Sequence, residues 1–432
     1  MSRTRLLARL FVASILFVGC DALLNVENPG SILGEDLERD IAIDPLLTGF
    51  KAEFLAGGFD SLPMLILTQG LLAGETYNAD TFDYFRALVT RDVPCSDDEM
   101  GALYGSLANA LFLGEDLARR MLRVLNNLKN DDGNVINPDS ANHDVRLAEL
   151  RCVLGTAYLT AAETWWEIPF AKFDGVQWVP GPMESQEQII LRALDSYDEA
   201  LQVSLNVGDP FYESYAHSGI ARAYLLLGDL AAALPHAAAS AIGRWAYSAQ
   251  YNNQDENYLY VWGHLRGSQT VAPEFRNTGD PRVRVRDTGR SALDQSQPLW
   301  VADKYNARDE PLRIASWQES AMIAAEAELV VNGDVAAALG YINAVRFAAG
   351  LPDASGVSVA EVTVILRHER KYEFFYEGRR LSDLIRYGVT GVNYTGGRVR
   401  GVQPLPYYLP IPDDESDNNE HVVCNDISAG WR

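Results

Sequence analysis

The sequence predicts a mostly α chain, a scaffold of paired helices interrupted by long irregular loop insertions. Three observations carry this. Apolar residues recur at i, i+3, i+4 and i+7 through most of the length. Successive helical segments are joined by Gly-Asp turns that stop one helix and start the next. Two stretches, 59–99 and 244–315, lose the periodicity and fill with Gly, Asn, Asp and aromatic residues.

At the N-terminus, Arg3, Arg5 and Arg9 precede the apolar run Leu10 to Gly19. That run has the length of a secretory h-region and is too short to span a bilayer. Phe17-Val18-Gly19-Cys20 resembles a bacterial lipobox, with Phe17 where Leu is usual. The resemblance implies that residues 1–19 are a lipoprotein signal peptide and that Cys20 is lipidated. Residues 20–432 then form a single mature domain, tied to the membrane through its lipid anchor. No other segment is apolar for long enough to cross a membrane. The chain of 432 residues carries 59 Asp+Glu against 36 Lys+Arg, a formal charge of -23. Loss of the three signal arginines takes this to -26. Nucleic acid is excluded as a partner, because counterion release needs a dense basic face.

The scaffold lies mainly in 101–243 and 316–388, with helical patterns at 101–129, 145–165, 186–205, 213–227, 229–242, 316–331, 334–349 and 359–376. Gly228-Asp229 and Gly333-Asp334 are the clearest hairpin turns, and the alanines around them let paired helices approach closely. These hairpins look like tetratricopeptide units, without a strict 34-residue period. Cys152 falls on a helical apolar stripe and reads as a small core residue. Trp165, Trp166 and Trp317, on helices or their ends, also read as core. Cys95 and Cys424 lie in polar stretches, and whether they pair is open.

Catalytic signatures are missing: there is no H-E-x-x-H, G-x-S-x-G, C-x-x-C, Walker-type loop or G-x-G-x-x-G, and no two histidines stand at i,i+4. The expectation is a protein that is not an enzyme and has no cofactor or metal. Asn130 to Asp139 is rich in oxygen ligands, but Gly133 would put Leu128 at the first position of an EF-hand, so a solvated loop is expected. The signal that points to function is aromatic. Sugar C–H faces lie on indole and phenol rings while planar polar groups take the hydroxyls, and such groups crowd the two irregular stretches. The residues expected to bind are Trp245, Tyr247, Tyr251, Asn252, Asp255, Tyr258, Tyr260, Trp262 and Arg266 in the long insertion. Tyr77, Asn78, Asp80 and Tyr84 form a second group.

The tail brings a family resemblance. Residues 369–388 read Glu-Arg-Lys-Tyr-Glu-Phe-Phe-Tyr-Glu-Gly-Arg-Arg-Leu-Ser-Asp-Leu-Ile-Arg-Tyr-Gly. This resembles a motif of the SusD/RagB-like family of outer-membrane nutrient-binding lipoproteins. Glu369, Arg370, Glu373, Glu377, Gly378, Arg380, Asp383, Leu384, Arg386 and Gly388 match in register, with Tyr376 and Tyr387 where Phe and Trp are commoner. Tyr408 to Glu415, Trp165 to Phe170 and Ala344 to Leu351 resemble further family segments in the expected order. Arg370 and Glu373 are i,i+3 neighbours, and Asp383 and Arg386 are spaced to pair. Gly378 permits a bend, and the charges around buried Phe374 and Phe375 read as a structural clamp.

The resemblance implies a SusD-like α/α fold and a lid over a TonB-dependent outer-membrane transporter (SusC-like). Such a lid would capture an oligosaccharide or similar nutrient at the outer membrane, facing the cell surface. The alternatives are a periplasmic tetratricopeptide-type scaffold lipoprotein, or the same lid role with peptide ligands. The 244–315 insertion argues against a bare scaffold, which needs no aromatic loops.

Overall fold

The computed structural model describes residues 37, 39–56, 61–129, 132–397 and 399–423. The signal segment, Cys20 and Cys424 lie outside them. The chain divides into two compact units, Met1–Ile43 and Asp44–Arg432. The second unit carries the scaffold. Its helices are α1 (Ile43–Leu55, which begins one residue earlier), α2 (Leu62–Leu72), α3 (Asp83–Thr90), α4 (Asp98–Leu125), α5 (Val145–Thr164), α6 (Gln186–Val207), α7 (Pro210–Leu227) and α8 (Leu230–Ser240). After the insertion come α9 (Trp317–Ala327), α10 (Val335–Ala348), α11 (Val359–Glu373), α12 (Arg380–Arg386) and α13 (Asp413–Asn418). The fold is mostly α, as the periodicity predicts. No helix among the described residues is long and apolar enough to cross a membrane.

Helices α4 to α8 pack each on the next, and α9 packs on α8. The Gly-Asp turns behave as their chemistry requires. Gly228 and Gly333 are left-handed at φ +79° and +66°. Asp229 and Asp334 accept the N–H groups of Ala232 and Ala337, both at 2.9 Å. Gly208-Asp209 repeats the device between α6 and α7.

Close approach in the array depends on glycine as well as alanine. The ring of Tyr197, on α6, is buried between Gly155 of α5 and Gly219 of α7. Its hydroxyl shares a 2.9 Å hydrogen bond with Thr156, which is itself 2.7 Å from the Tyr215 hydroxyl. A Cβ on Gly219 would lie 2.2 Å from this ring. Gly219→Ala is therefore expected to cost about 1–3 kcal/mol by overpacking. Urea unfolding checks it, and an unchanged midpoint would show that α7 can withdraw freely.

The 244–315 insertion does not break the array because its two ends are zipped together. Strand β6 (Ala246–Ala249) pairs antiparallel with β10 (Leu312–Ser316). That pairing returns the chain to its starting point, so Ser240 at the end of α8 donates to Ser320 on α9 at 2.7 Å. Between the zipped ends lie a helical turn Tyr258–Tyr260, a π turn Val261–Arg266, β7 (Gln269–Val271), β8 (Val285–Ser291) and β9 (Pro298–Ala302).

Three sequence expectations change. The stretch 59–99 holds α2 and α3 and is more helical than its composition suggests. Every residue of α2 is buried, so it is apolar on all sides and shows no amphipathic period. Trp166 is 54% exposed beside Tyr408, because the chain leaves α5 there, whereas Trp165 is buried and donates its indole N–H to the Pro410 carbonyl at 3.1 Å. Arg370 does not pair with Glu373.

That last change concerns the tail. Glu369, Arg370, Glu373, Glu377 and Asp383 are all buried. Arg370 forms a two-point bond to Asp383 at 2.9 Å, and Asp383 also takes Arg386 at 2.8 Å, as the spacing predicts. Glu373 turns to Arg313 on β10 at 2.9 Å, and Glu377 takes Arg313 at 2.8 Å and Lys304 at 2.5 Å. Gly378 sits at φ +72° against Gln69 and Ile66 of α2, where no Cβ fits. The tail motif thus fastens α11 and α12 to the insertion and to the buried helix α2. Cys152 is free and buried, and Cys95 is disulfide-bonded.

Candidate functional site

Strand β1 (Thr76–Asn78) joins the two stretches expected to bind. It runs antiparallel to β7, with Tyr77 opposite Thr270 and Asn78 opposite Gln269. Residues just after Asn78 therefore meet residues just before Gln269. The intervening turn is held by side chains. Asn78 Oδ1 accepts the Asp80 N–H at 2.8 Å, and Asp80 Oδ1 accepts those of Thr81 and Phe82 at 2.6 and 3.1 Å. Phe82, at the N-cap of α3, is thereby left outside the helix and 41% exposed.

From the other side, the π turn Val261–Arg266 ends at Gly267, left-handed at φ +68°. It presents Trp262 and Arg266 to Phe82. The Trp262 ring lies 6.2 Å from Phe82 and 5.2 Å from Phe85, centre to centre. The Arg266 guanidinium sits 4.1 Å above Trp262 and 5.3 Å from Phe82, inside cation–π range. Asp80 Oδ2 is 3.9 Å from Arg266 Nη2. Phe82, Tyr84, Phe85, Glu99, Trp262 and Arg266 line a recess of about 120 Å³. An exposed ring, a guanidinium and a carboxylate converge there. That set can hold a flat molecule with an apolar face and a hydroxylated edge.

The other expected residues take different places. Tyr84 is buried, shares a 3.3 Å hydrogen bond with Thr68, and burial pushes its hydroxyl pKa up. Tyr77 is buried with its ring 5.4 Å from Tyr394 and its hydroxyl 3.2 Å from Thr395. Asn78 is buried, and among the described residues its Nδ2 has no hydrogen-bond partner. Trp245 is buried on α7, its ring 6.1 Å from Tyr215, with its indole N–H given to Ser240. Tyr247 packs on the same Tyr215 at 5.0 Å. Tyr251 is buried, and Asn252 is exposed, accepting the N–H groups of Gln254 and Asp255 in a turn. Tyr258 and half-buried Asp255 flank that turn, and Tyr260 stacks on His264 at 4.9 Å.

The structure thus brings Asp80, Tyr84, Trp262 and Arg266 together and seats Trp245 and Tyr247 on the scaffold. Phe82, Phe85 and Glu99 were not among the expected residues. The phase of α3 carries the missing signal, since Phe85 falls on its buried face with Tyr84, Leu88 and Val89. Among the described residues, no group of three or more His, Cys, Asp or Glu side chains is placed to hold a metal ion.

Comparison with known proteins bears on this architecture. The model of the SusD family matches residues 319–431, which include the tail motif 369–388. The starch-binding protein SusD of Bacteroides thetaiotaomicron is 26% identical over 198 residues, 42% of this chain and 34% of that protein. The alignment therefore spans about one third of that relative's length. A SusD superfamily protein of Bacteroides vulgatus superposes with a TM-score of 0.67 at 17% identity, over 90% of this chain and 98% of the other. Surface glycan-binding protein A of Bacteroides uniformis superposes at 0.65 with 16% identity, over 90% and 99%. The two superpositions speak for the fold alone, and the family model for a likeness of the tail. On the tail motif, the fold and these matches together, the chain is similar to the SusD/RagB-like family.

Proposed function

We propose that this protein is a non-enzymatic outer-membrane lipoprotein that captures an oligosaccharide and delivers it to a TonB-dependent transporter. The observation that carries this reading is the Phe82–Trp262–Arg266 recess, set on a scaffold shared with proteins named for binding starch and surface glycans. Capture rests on the exposed Phe82 ring as a platform for a sugar face, with Arg266 and Glu99 at its edge. The disulfide at Cys95 supports export, since such bonds persist in oxidising compartments. Anchoring through Cys20 and docking on the transporter follow from the lipobox and the family.

Calorimetry with maltoheptaose, laminarihexaose and xylohexaose tests the reading. At least one is expected to bind and to be recovered with its mass unchanged. Phe82→Ala, which removes an exposed ring, is expected to weaken that binding about tenfold. Shortened products would overturn the non-enzymatic reading, and binding of peptides in place of all three glycans would overturn the choice of ligand.

A further inference from the structure

A second aromatic site lies on the opposite kind of surface, against the helical scaffold. After α5 the chain forms β2 (Glu167–Pro169), β3 (Lys172–Phe173), β4 (Trp178–Val179) and β5 (Met183–Ser185), with β3 and β4 paired so that Phe173 stands opposite Trp178. Two recesses of about 360 and 320 Å³ flank this hairpin where it meets α4, α5 and α6. They share Glu115, Ala171, Trp178 and Arg192 as a common wall, so they read as one trough with Trp178 at its middle.

Trp178 is held rigidly. Its ring lies 5.3 Å from Phe112 on α4 and 5.6 Å from Phe173, both edge-on. Its indole N–H is given to Asp116 at 3.1 Å. Asp116 is locked in turn by Arg119 at 2.7 Å and by Arg120, and these bonds hold its carboxyl pKa below the usual range. The Arg119 guanidinium lies 4.3 Å over Phe173, and that of Arg192 4.6 Å over Phe170.

The charges at the trough are already matched. Arg192 makes a two-point bond to Glu184 at 2.6 Å, Arg151 pairs with Glu199 at 2.7 Å, and Glu115 accepts the Tyr158 hydroxyl at 2.5 Å. A charged ligand would have to break these pairs, whereas a neutral polyol adds hydrogen bonds to carboxylate and guanidinium edges without displacing them. Phe112, 36% exposed, offers an apolar face beside those edges.

We propose that this trough is a second carbohydrate site, taking neutral pyranose rings on either side of Trp178. It rests on the reading that the ligand is a glycan, and it adds a place for a chain longer than the smaller Phe82 recess can seat. In such a pair of sites one glycan, or two segments of one, is held at two points of the same molecule.

The test uses the full mature protein with maltoheptaose, laminarihexaose and xylohexaose, in calorimetry and tryptophan fluorescence. In Phe82→Ala protein a residual binding event is expected, accompanied by a fluorescence change that is lost in Trp178→Phe. Phe112→Ala in that background is expected to weaken it about tenfold. The ring it removes is partly exposed, which keeps the test informative if the hairpin tolerates no change at Trp178. If a glycan binds, Phe82→Ala abolishes all of it, and Phe112→Ala alone leaves it unchanged, the trough proposal is overturned and the glycan reading stands. Absence of binding by all three glycans overturns both.

Discussion

Asp383→Asn is expected to lower stability by about 3–5 kcal/mol, the usual cost of leaving a buried charge without its partner. Arg370 is 2% exposed, and both of its hydrogen bonds go to the two carboxylate oxygens of Asp383. A guanidinium is charged at any ordinary pH, so Arg370 stays charged when the bond to Asp383 is removed. Arg386 suffers less, because it keeps Glu326 at 2.8 Å. Urea unfolding of the single variant should show the loss. The paired replacement Arg370→Met with Asp383→Leu should recover most of it, since no charge is then left stranded. A single-variant loss below about 1 kcal/mol would mean that water reaches Arg370, and the tail could not be called a buried clamp.

Glu75 carries the second large effect, with the opposite pH dependence. It leads into β1, its backbone carbonyl accepting from Ala272 at 2.9 Å, and its side chain is 1% exposed. Burial raises its pKa from 4.5 to about 7, although Arg380 and a long bond from the Tyr376 N–H pull the other way. In the unfolded chain the group ionises near 4.5, so from there to about 7 the native state holds the extra proton. Stability from this residue is therefore complete below pH 4.5 and is lost as pH rises through 7, by about 3 kcal/mol in all.

Glu75→Gln should remove that loss. The gap between variant and wild type is expected to widen from pH 4.5 to 7 in favour of glutamine and stay level above. Parallel pH profiles for the two proteins would show that the carboxyl is already solvated or paired when ionised. The buried carboxylates of Glu319, Glu377 and Asp383 have lowered pKa values, held down by Arg379 and Arg222, by Arg313 and Lys304, and by Arg370 and Arg386 respectively. They act in the reverse sense, losing stability as pH falls into the acid range. Comparing Glu75→Gln with wild type isolates a group that runs against them.

Much of the scaffold was legible because helix formation writes itself locally. The apolar period, the glycine stops and the aspartate caps of α5 to α11 are properties of neighbouring residues. They survive wherever a helix has one wet face. Helix α2 escaped because it has none: a segment buried on every side has no period to detect. The pairing of Asp383 with Arg386 was readable at i,i+3, whereas the choice of Asp383 over Glu373 by Arg370 was not. Thirteen residues separate Arg370 from Asp383, and the bend at Gly378 decides which carboxylate comes within reach.

The candidate site divides along the same line. Composition alone picked out both irregular stretches, and within them Tyr84, Trp262 and Arg266 meet in one recess. It could not sort the aromatic rings, because exposure is settled by what packs against each ring. Trp245 has α7 beside it and is covered, while Phe82 sits on a turn and is left open. By itself the sequence determined the helical scaffold, the family of the tail and the two loop stretches, all carried by residue types at short range. Only the tertiary structure decided that β1 pairs with β7 across some 190 residues, which rings face solvent, and that the Phe173–Trp178 hairpin builds a trough on α4. Each of these depends on contacts between segments whose separation along the chain no local pattern records.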